Sequence, residues 1–316
     1  MRTGSAAGHR GYFHEAVHYS SDEELLAVLV PFLTGGPAAG EPTLVSLGAR
    51  NAELVRSALP RGTAVEFTGG GDMYARPAAA IRSYRRLLAD HVRAGARQIR
   101  IVGELPADVF GPAWYSWARY ESAINHAYDD FPLWSMCAYD RRTTPPPMLA
   151  DVARTHPREA RPDGTHPALA AYVPPEEFLS ELRPVPPDPL QLTPPSADLA
   201  DPVPGRARDA VRAADRGQVR PEEAEDLVVA ISEAVTNAML HGRPPVRVRV
   251  WAGPDRIVAE VADAGQGPKD PFTGLLPSDT TEPGGRGLWI VHQSVSHVVM
   301  ARDGGFALRL TAGVPH

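Results

Sequence analysis

Residues 231–242 read ISEAVTNAMLHG, and the second half of the chain is best read outward from them. An apolar-periodic helix over residues 221–241 would carry Glu233, Asn237 and His241 at i, i+4 and i+8, all on one face. Pro221 at its first position and the acidic residues behind it mark the helix start. A carboxylate beside a carboxamide on one face is costly to bury without partners. The pair suits a hydrated divalent cation, with Asn237 as an oxygen ligand and Glu233 orienting or deprotonating a nucleophile. Taken alone, it fits the polar outer face of an amphipathic helix equally well.

Two more pieces follow in order. A strand over residues 256–262 runs into Asp263-Ala264-Gly265-Gln266-Gly267, a carboxylate acceptor followed by glycines that let a flat ligand come close. Gly284-Gly285-Arg286-Gly287-Leu288 then opens a helix over 287–295, a turn that presents backbone N–H groups and the positive dipole end to an anion. Around them the pattern predicts a helix over 205–216, strands over 246–251, 297–301 and 306–311, and a hairpin turn at Asp303-Gly304-Gly305. This is an α+β sandwich, with helices on one face of a mixed sheet.

Of the 32 Lys and Arg residues in 316, only Lys269 is a lysine. A Walker-type phosphate loop and a kinase of the eukaryotic type each need a Lys on the nucleotide, so both are excluded. The lone Cys137 excludes intramolecular disulfides and Cys-x-x-Cys zinc sites. A net charge of −6 with no basic stripe argues against direct nucleic-acid binding. The longest apolar run, residues 25–33, contains a Pro and is too short for a bilayer, and no apolar signal core is evident, so a cytoplasmic protein without membrane attachment is expected.

E-x3-N on a helix, D-x-G-x-G after a strand, a loop, then G-x-G at a helix start resembles the N, G1 and G2 boxes of the GHKL ATPase superfamily. TNAMLHG and GGRGLWIV are most similar to the anti-sigma regulatory factors of the RsbW type, which are serine/threonine protein kinases. The resemblance covers residues 188–316 and implies ATP and Mg2+ as cofactors. It implies that Asp263 accepts the adenine amine, with Gly265 and Gly267 shaping the pocket. Asn237 would hold Mg2+, and Glu233 would be the general base. Gly285, Gly287 and the backbone of Leu288 would cradle the phosphates, with Arg286 adding a cation, beneath a lid over about residues 268–283. The implied partners are an alternative sigma factor and an anti-anti-sigma antagonist of the STAS type, with a homodimer left open. The alternative is a catalytically inactive, nucleotide-dependent binding switch. A histidine kinase would need a phosphoacceptor His on a helical hairpin just before this domain, where the chain is instead rich in Pro around His156 and His166.

Sixteen of the 33 prolines lie in residues 143–204, which reads as a semi-stiff linker over 143–187 with one helical piece near 175–182. Residues 1–142 alternate helices (21–33, 51–59, 76–95, 113–128) with strands (42–47, 64–67, 98–103, 133–139), an α/β domain with a largely parallel sheet. Residues 47–51, LGARN, sit at a strand-to-helix turn but lack Lys or hydroxyl, which speaks against a phosphate loop. Carboxylates at strand ends of such a sheet gather where ligands bind, so His14, Glu104 and Glu121 form a candidate sensor pocket. The segments FHEAVHY, LLAVLVPFL, RIVGE, W-x2-YE-x3-N and MCAYD resemble the MEDS sensory domain of methanogen and methylotroph regulators, over about residues 10–142. That resemblance implies a RecA-like fold without ATPase activity. MEDS followed by an RsbW-type domain looks like actinobacterial anti-sigma regulators.

Overall fold

Short runs of β-branched and aromatic residues in the first half build one sheet of six parallel strands. These are β1 (Phe13–Tyr19), β2 (Thr43–Ser46), β3 (Glu66–Phe67), β4 (Ile99–Gly103), β5 (Leu133–Asp140) and β6 (Arg158–Glu159). Their order is β3-β2-β4-β5-β1-β6, every neighbouring pair parallel. The computed structural model describes residues 2–68, 76–106, 109–181, 183–277, 286–295, 297–302 and 304–314. It divides into two units, one made chiefly of residues up to Leu179 and the other of those from Ser180. No helix among the described residues is long and apolar enough to cross a membrane.

A parallel sheet must be covered on both faces. Helix α1 (Asp22–Ala38), capped by Ser21, buries Leu25, Leu29, Phe32 and Leu33 in one core with Phe13, Val17, Val45, Val102, Trp134 and Met136. Alternation sends His14 to the opposite face, where it meets Asn125 of the helix over Trp114–Ala127. Between them in the chain lie α2 (Ala49–Ala58) and α3 (Pro77–Arg93), so the Trp114–Ala127 helix is α4.

Two features differ from the sequence reading. Strand β1, which carries two His and a Glu, was not anticipated, yet it lies between β5 and β6. The stretch expected as an extended linker is folded: α5 (Pro146–Thr155), β6 and α6 (Pro175–Ser180) belong largely to the first unit. Its prolines do not break α5, because Pro145 is the N-cap and Pro146 stands at the start, where a backbone N–H has no intrahelical partner anyway. The helical piece expected near residues 175–182 is α6, with Phe178 and Leu179 buried.

The second unit is a sheet of β7 (Ala197–Ala200), β8 (Arg247–Ala252), β9 (Arg256–Asp263), β10 (His297–Arg302) and β11 (Phe306–Gly313), in the order β10-β11-β9-β8-β7. Helices α7 (Pro204–Ala214), α8 (Pro221–His241) and α9 (Gly287–Ser294) share one apolar core with it. The sheet was expected to be mixed; every pair of neighbouring described strands is antiparallel. The reason is topological. Two successive helices, α7 and α8, return the chain to the end where β7 finished, so β8 runs antiparallel to it. The single helix α9 makes β10 parallel in direction to β9, but β11 lies between them.

Arg100 of β4 is a charge in a buried strand. Its guanidinium donates to Glu41 Oε2 at 2.7 Å, the Phe32 carbonyl at 2.8 Å and Thr3 Oγ1 at 2.8 Å. Removing one partner of such a pair leaves the other charge buried. Arg100→Met is therefore expected to destabilise the first unit by roughly 3–5 kcal/mol in urea unfolding, and adding Glu41→Gln should recover part of the loss. An Arg100→Met variant as stable as the parent would show that the pair is not required.

Candidate functional site

In the second unit, α8 places its apolar residues Leu227, Val228, Ile231, Ala234, Val235 and Ala238 in the core, leaving Glu233 and Asn237 half-buried beside them. Gly287, the first residue of α9, lies against this pair. A Cβ on Gly287 would stand 2.8 Å from Asn237 Nδ2, 2.9 Å from its Oδ1 and 3.1 Å from Glu233 Oε2. The start of α9 thus approaches the two polar side chains as closely as only glycine permits. Asn237 Nδ2 is buried and has no hydrogen-bond partner among the described residues. A buried donor left in this state is expensive unless a ligand completes it.

Asp263 closes the other end. It is 8% exposed, and its Oδ1 accepts from the backbone N–H of Gly265 at 2.6 Å and of Arg243 at 3.1 Å. Ala264 N–H donates back to the Arg243 carbonyl, so the end of β9 is tied to the residues that follow α8. A side chain at Gly242 or Gly265 would collide with the carboxylate, its Cβ 2.6 Å from Asp263 Cγ in the first case and from Oδ1 in the second. Oδ2 accepts no hydrogen bond from any described residue. Gly267 has φ +72° and would meet the Phe306 ring if it carried a side chain.

The remaining expected residues divide. Leu288 packs against the core, while Arg286, the N-cap of α9, is exposed. Lys269 is exposed too. Gly285 and the lid residues 278–283 lie outside the described residues. The contact of Gly242 and Arg243 with Asp263 joins segments some twenty residues apart and leaves no mark in the local pattern.

Of the candidate sensor residues, Glu104 and Glu121 together line one small cavity of about 30 Å3, and Glu104 also borders a larger one. Glu104 stands at the carboxyl end of β4, facing a cavity of about 1030 Å3 whose lining includes Tyr19, Arg50, Asn51, Arg56, Asp140 and Arg142. Its Oε2 accepts from Gly48 N–H at 2.9 Å and its Oε1 from Asn51 Nδ2 at 2.8 Å. Burial raises its pKa, against these two hydrogen bonds. The N–H that a phosphate loop would offer at Gly48 is thus taken by an internal carboxylate, in keeping with the missing Lys. His14 lies in the core behind the sheet, 3.7 Å from Glu121.

Residues 13–157 match the family model of the MEDS domain, the methanogen/methylotroph, DcmR sensory domain. Residues 196–312 match that of the histidine kinase-like ATPase domain. No curated protein matches the chain. Among solved structures, the RsbU and RsbW domains of a Mycobacterium tuberculosis protein align at 24% identity and a TM-score of 0.27, over 39% of this chain and 34% of that one. This chain therefore spans about a third of that structure. The mycobacterial sensor histidine kinase MprB aligns at 21% identity and 0.25, over 38% of this chain and 99% of that one. The histidine kinase domain of the E. coli osmosensor EnvZ aligns at 21% and 0.24, over 39% and 92%. Likenesses of this strength add nothing to the two family matches. The chain carries a MEDS sensory domain followed by a histidine kinase-like ATPase domain, and the latter implies ATP binding.

Proposed function

We propose that the second unit binds Mg-ATP and passes its terminal phosphoryl group to a serine or threonine of an anti-anti-sigma antagonist, and that it sequesters an alternative sigma factor. In this reading the first unit senses a small molecule and biases the choice between partners. The observation that carries the proposal is the approach of Gly287 to Glu233 and Asn237, with the Asn237 amide nitrogen buried and unpartnered among the described residues. Mg-ATP, when bound, supplies the phosphoryl group and the cation that neutralises its charge. Asn237 would hold the Mg2+ through its carbonyl oxygen. Glu233 would take the proton of the acceptor hydroxyl as the oxygen–phosphorus bond forms and ADP leaves. The backbone N–H groups at the start of α9 would face the phosphates, assisted by Arg286. Oδ2 of Asp263, left without a described partner, would accept the adenine amine.

The substitutions separate these roles. Asp263→Asn can keep the oxygen that accepts from Gly265 and Arg243, but it puts an NH2 where the adenine amine must donate. Affinity for a fluorescent ATP analogue is expected to fall on the order of 100-fold, because two donors then face each other. Unchanged affinity would sink the site assignment.

Glu233→Ala is expected to bind the analogue as the parent does while phosphotransfer to the antagonist drops at least about 100-fold. If labelled ATP transfers no phosphate even with the parent protein, the second unit is a nucleotide-dependent switch without kinase activity.

Gly287→Ala adds a methyl group 2.8 Å from Asn237. It should weaken analogue binding about tenfold or more while the thermal unfolding of the protein shifts little.

A further inference from the structure

Four side chains from four segments of the first unit converge in its core: His14 of β1, Glu121 of α4, Cys137 of β5 and His156 just after α5. One ligating atom from each lies within 4.8 Å of all the others. His14 Nε2 is 3.4 Å from Cys137 Sγ and 3.7 Å from Glu121 Oε2, and His156 Nε2 is 3.4 Å from the same oxygen. A tetrahedral centre with bonds of about 2.0–2.3 Å has edges of about 3.3–3.8 Å, so these three separations already match. His14 and His156 are 1% and 0% exposed and Glu121 is 2% exposed. Cys137 keeps some exposure and, with Glu121, lines a small cavity of about 30 Å3.

The outer contacts set both imidazoles to present a lone pair inward. Asn125 Nδ2 donates to the carbonyls of Glu121, Ser122 and Thr155, which turns its Oδ1 toward His14. His14 Nδ1 at 2.9 Å must then carry the proton, leaving Nε2 bare. His156 Nδ1 likewise donates to the Val152 carbonyl at 2.9 Å. A hydrogen-bonded polar knot is the competing explanation, and it is poorly made at two buried atoms. Among the described residues, His156 Nε2 and Glu121 Oε2 have only each other, at 3.4 Å, long for an O–H···N bond.

We propose that His14, Glu121, Cys137 and His156 are the four ligands of a Zn2+ site that joins β1, α4, β5 and the segment after α5. Two nitrogens, a sulfur and one carboxylate oxygen are a zinc-like donor set, unsuited to Mg2+ or Ca2+, which take oxygen ligands. One thiolate and one carboxylate cancel the charge of a divalent ion, so the loaded site is neutral, as its burial demands. With four protein ligands it is closed, as structural zinc sites are.

Loading requires two protons to leave. Burial pushes the Glu121 carboxyl up to about 8, raises the Cys137 thiol, brings His14 down to about 4 and lowers His156. Without metal, then, the cluster is an acid, a thiol and two neutral imidazoles near pH 7. Tyr12, Tyr128, Tyr139 and His18 are the other titratable groups around it. Burial raises the Tyr12 and Tyr128 phenols and lowers His18, so these three gain no charge there. Each ion should release about two protons, and binding should tighten as pH rises.

The test strips the full chain with chelator and titrates it with Co2+ and Zn2+ in the absence of nucleotide. The expected result is about one equivalent of either ion retained through gel filtration, with two protons released. Bound Co2+ should show intense tetrahedral d–d bands and a near-ultraviolet thiolate charge-transfer band. In Cys137→Ser the charge-transfer band should vanish, and in Glu121→Gln the proton count should drop by one. Near-ultraviolet circular dichroism confirms that each variant is folded, and Asp263→Asn should retain the ion, which separates this site from the nucleotide site. Retention below about a tenth of an equivalent by the parent overturns the proposal, as does a cobalt spectrum without the thiolate band or with that band intact in Cys137→Ser.

Discussion

The first unit depends on how strand β1 satisfies its own polar residues. β1 pairs with β5 on one edge and β6 on the other, and both of its faces are covered, so His14, Glu15 and His18 have little access to water. Burial of such groups is tolerable only with partners. Glu15 accepts from Trp134 Nε1 at 2.7 Å and pairs with His166 at 2.7 Å, and His18 Nδ1 meets Glu159 at 2.9 Å. Glu159 and His166 come from beyond residue 145. The proline-rich stretch is thus held to the sheet by the needs of an interior strand, and the compact unit continues past residue 142.

That dependence also explains what the sequence made legible. Segments whose apolar residues keep a clear period, such as α8, β9 and β5, were read with their boundaries nearly correct. β1 is hard to read because FHEAVHY alternates His, Ala and His on one face with Phe, Glu, Val and Tyr on the other, a pattern that fits no half-buried strand. Only the long-range partners make sense of it. Likewise β7, four residues half-exposed at a sheet edge, carries too little periodicity to be distinguished from loop.

The two helix starts that begin with glycine show why a local motif does not fix its own role. Gly48 caps α2, and its N–H donates to Glu104, so an internal carboxylate holds the position an anion would take. Gly287 opens α9 against Glu233 and an Asn237 amide nitrogen without a described partner. At Gly48 the sequence shows only the missing Lys; the carboxylate that takes its N–H comes from 56 residues away. At the second unit's site the helical period placed Glu233 and Asn237 on one face. It could not show that Gly242, read only as the end of a helix, lies against Asp263.

The same accounting bears on the histidines before the ATPase domain. A phosphoacceptor must reach a nucleotide held on another surface, which requires an exposed imidazole. His156 is fully buried, its Nδ1 on the Val152 carbonyl and its Nε2 turned toward Glu121. His166 Nδ1 is paired with Glu15, a carboxylate that is itself fully buried. His156 is therefore part of the first unit's core, while His166, 19% exposed, is tied to β1 through Glu15. The sequence argument against a histidine kinase rested on proline forbidding a helical hairpin. Prolines at a helix start in fact permit α5, and His156 is held in the core by its packing on His14 of β1.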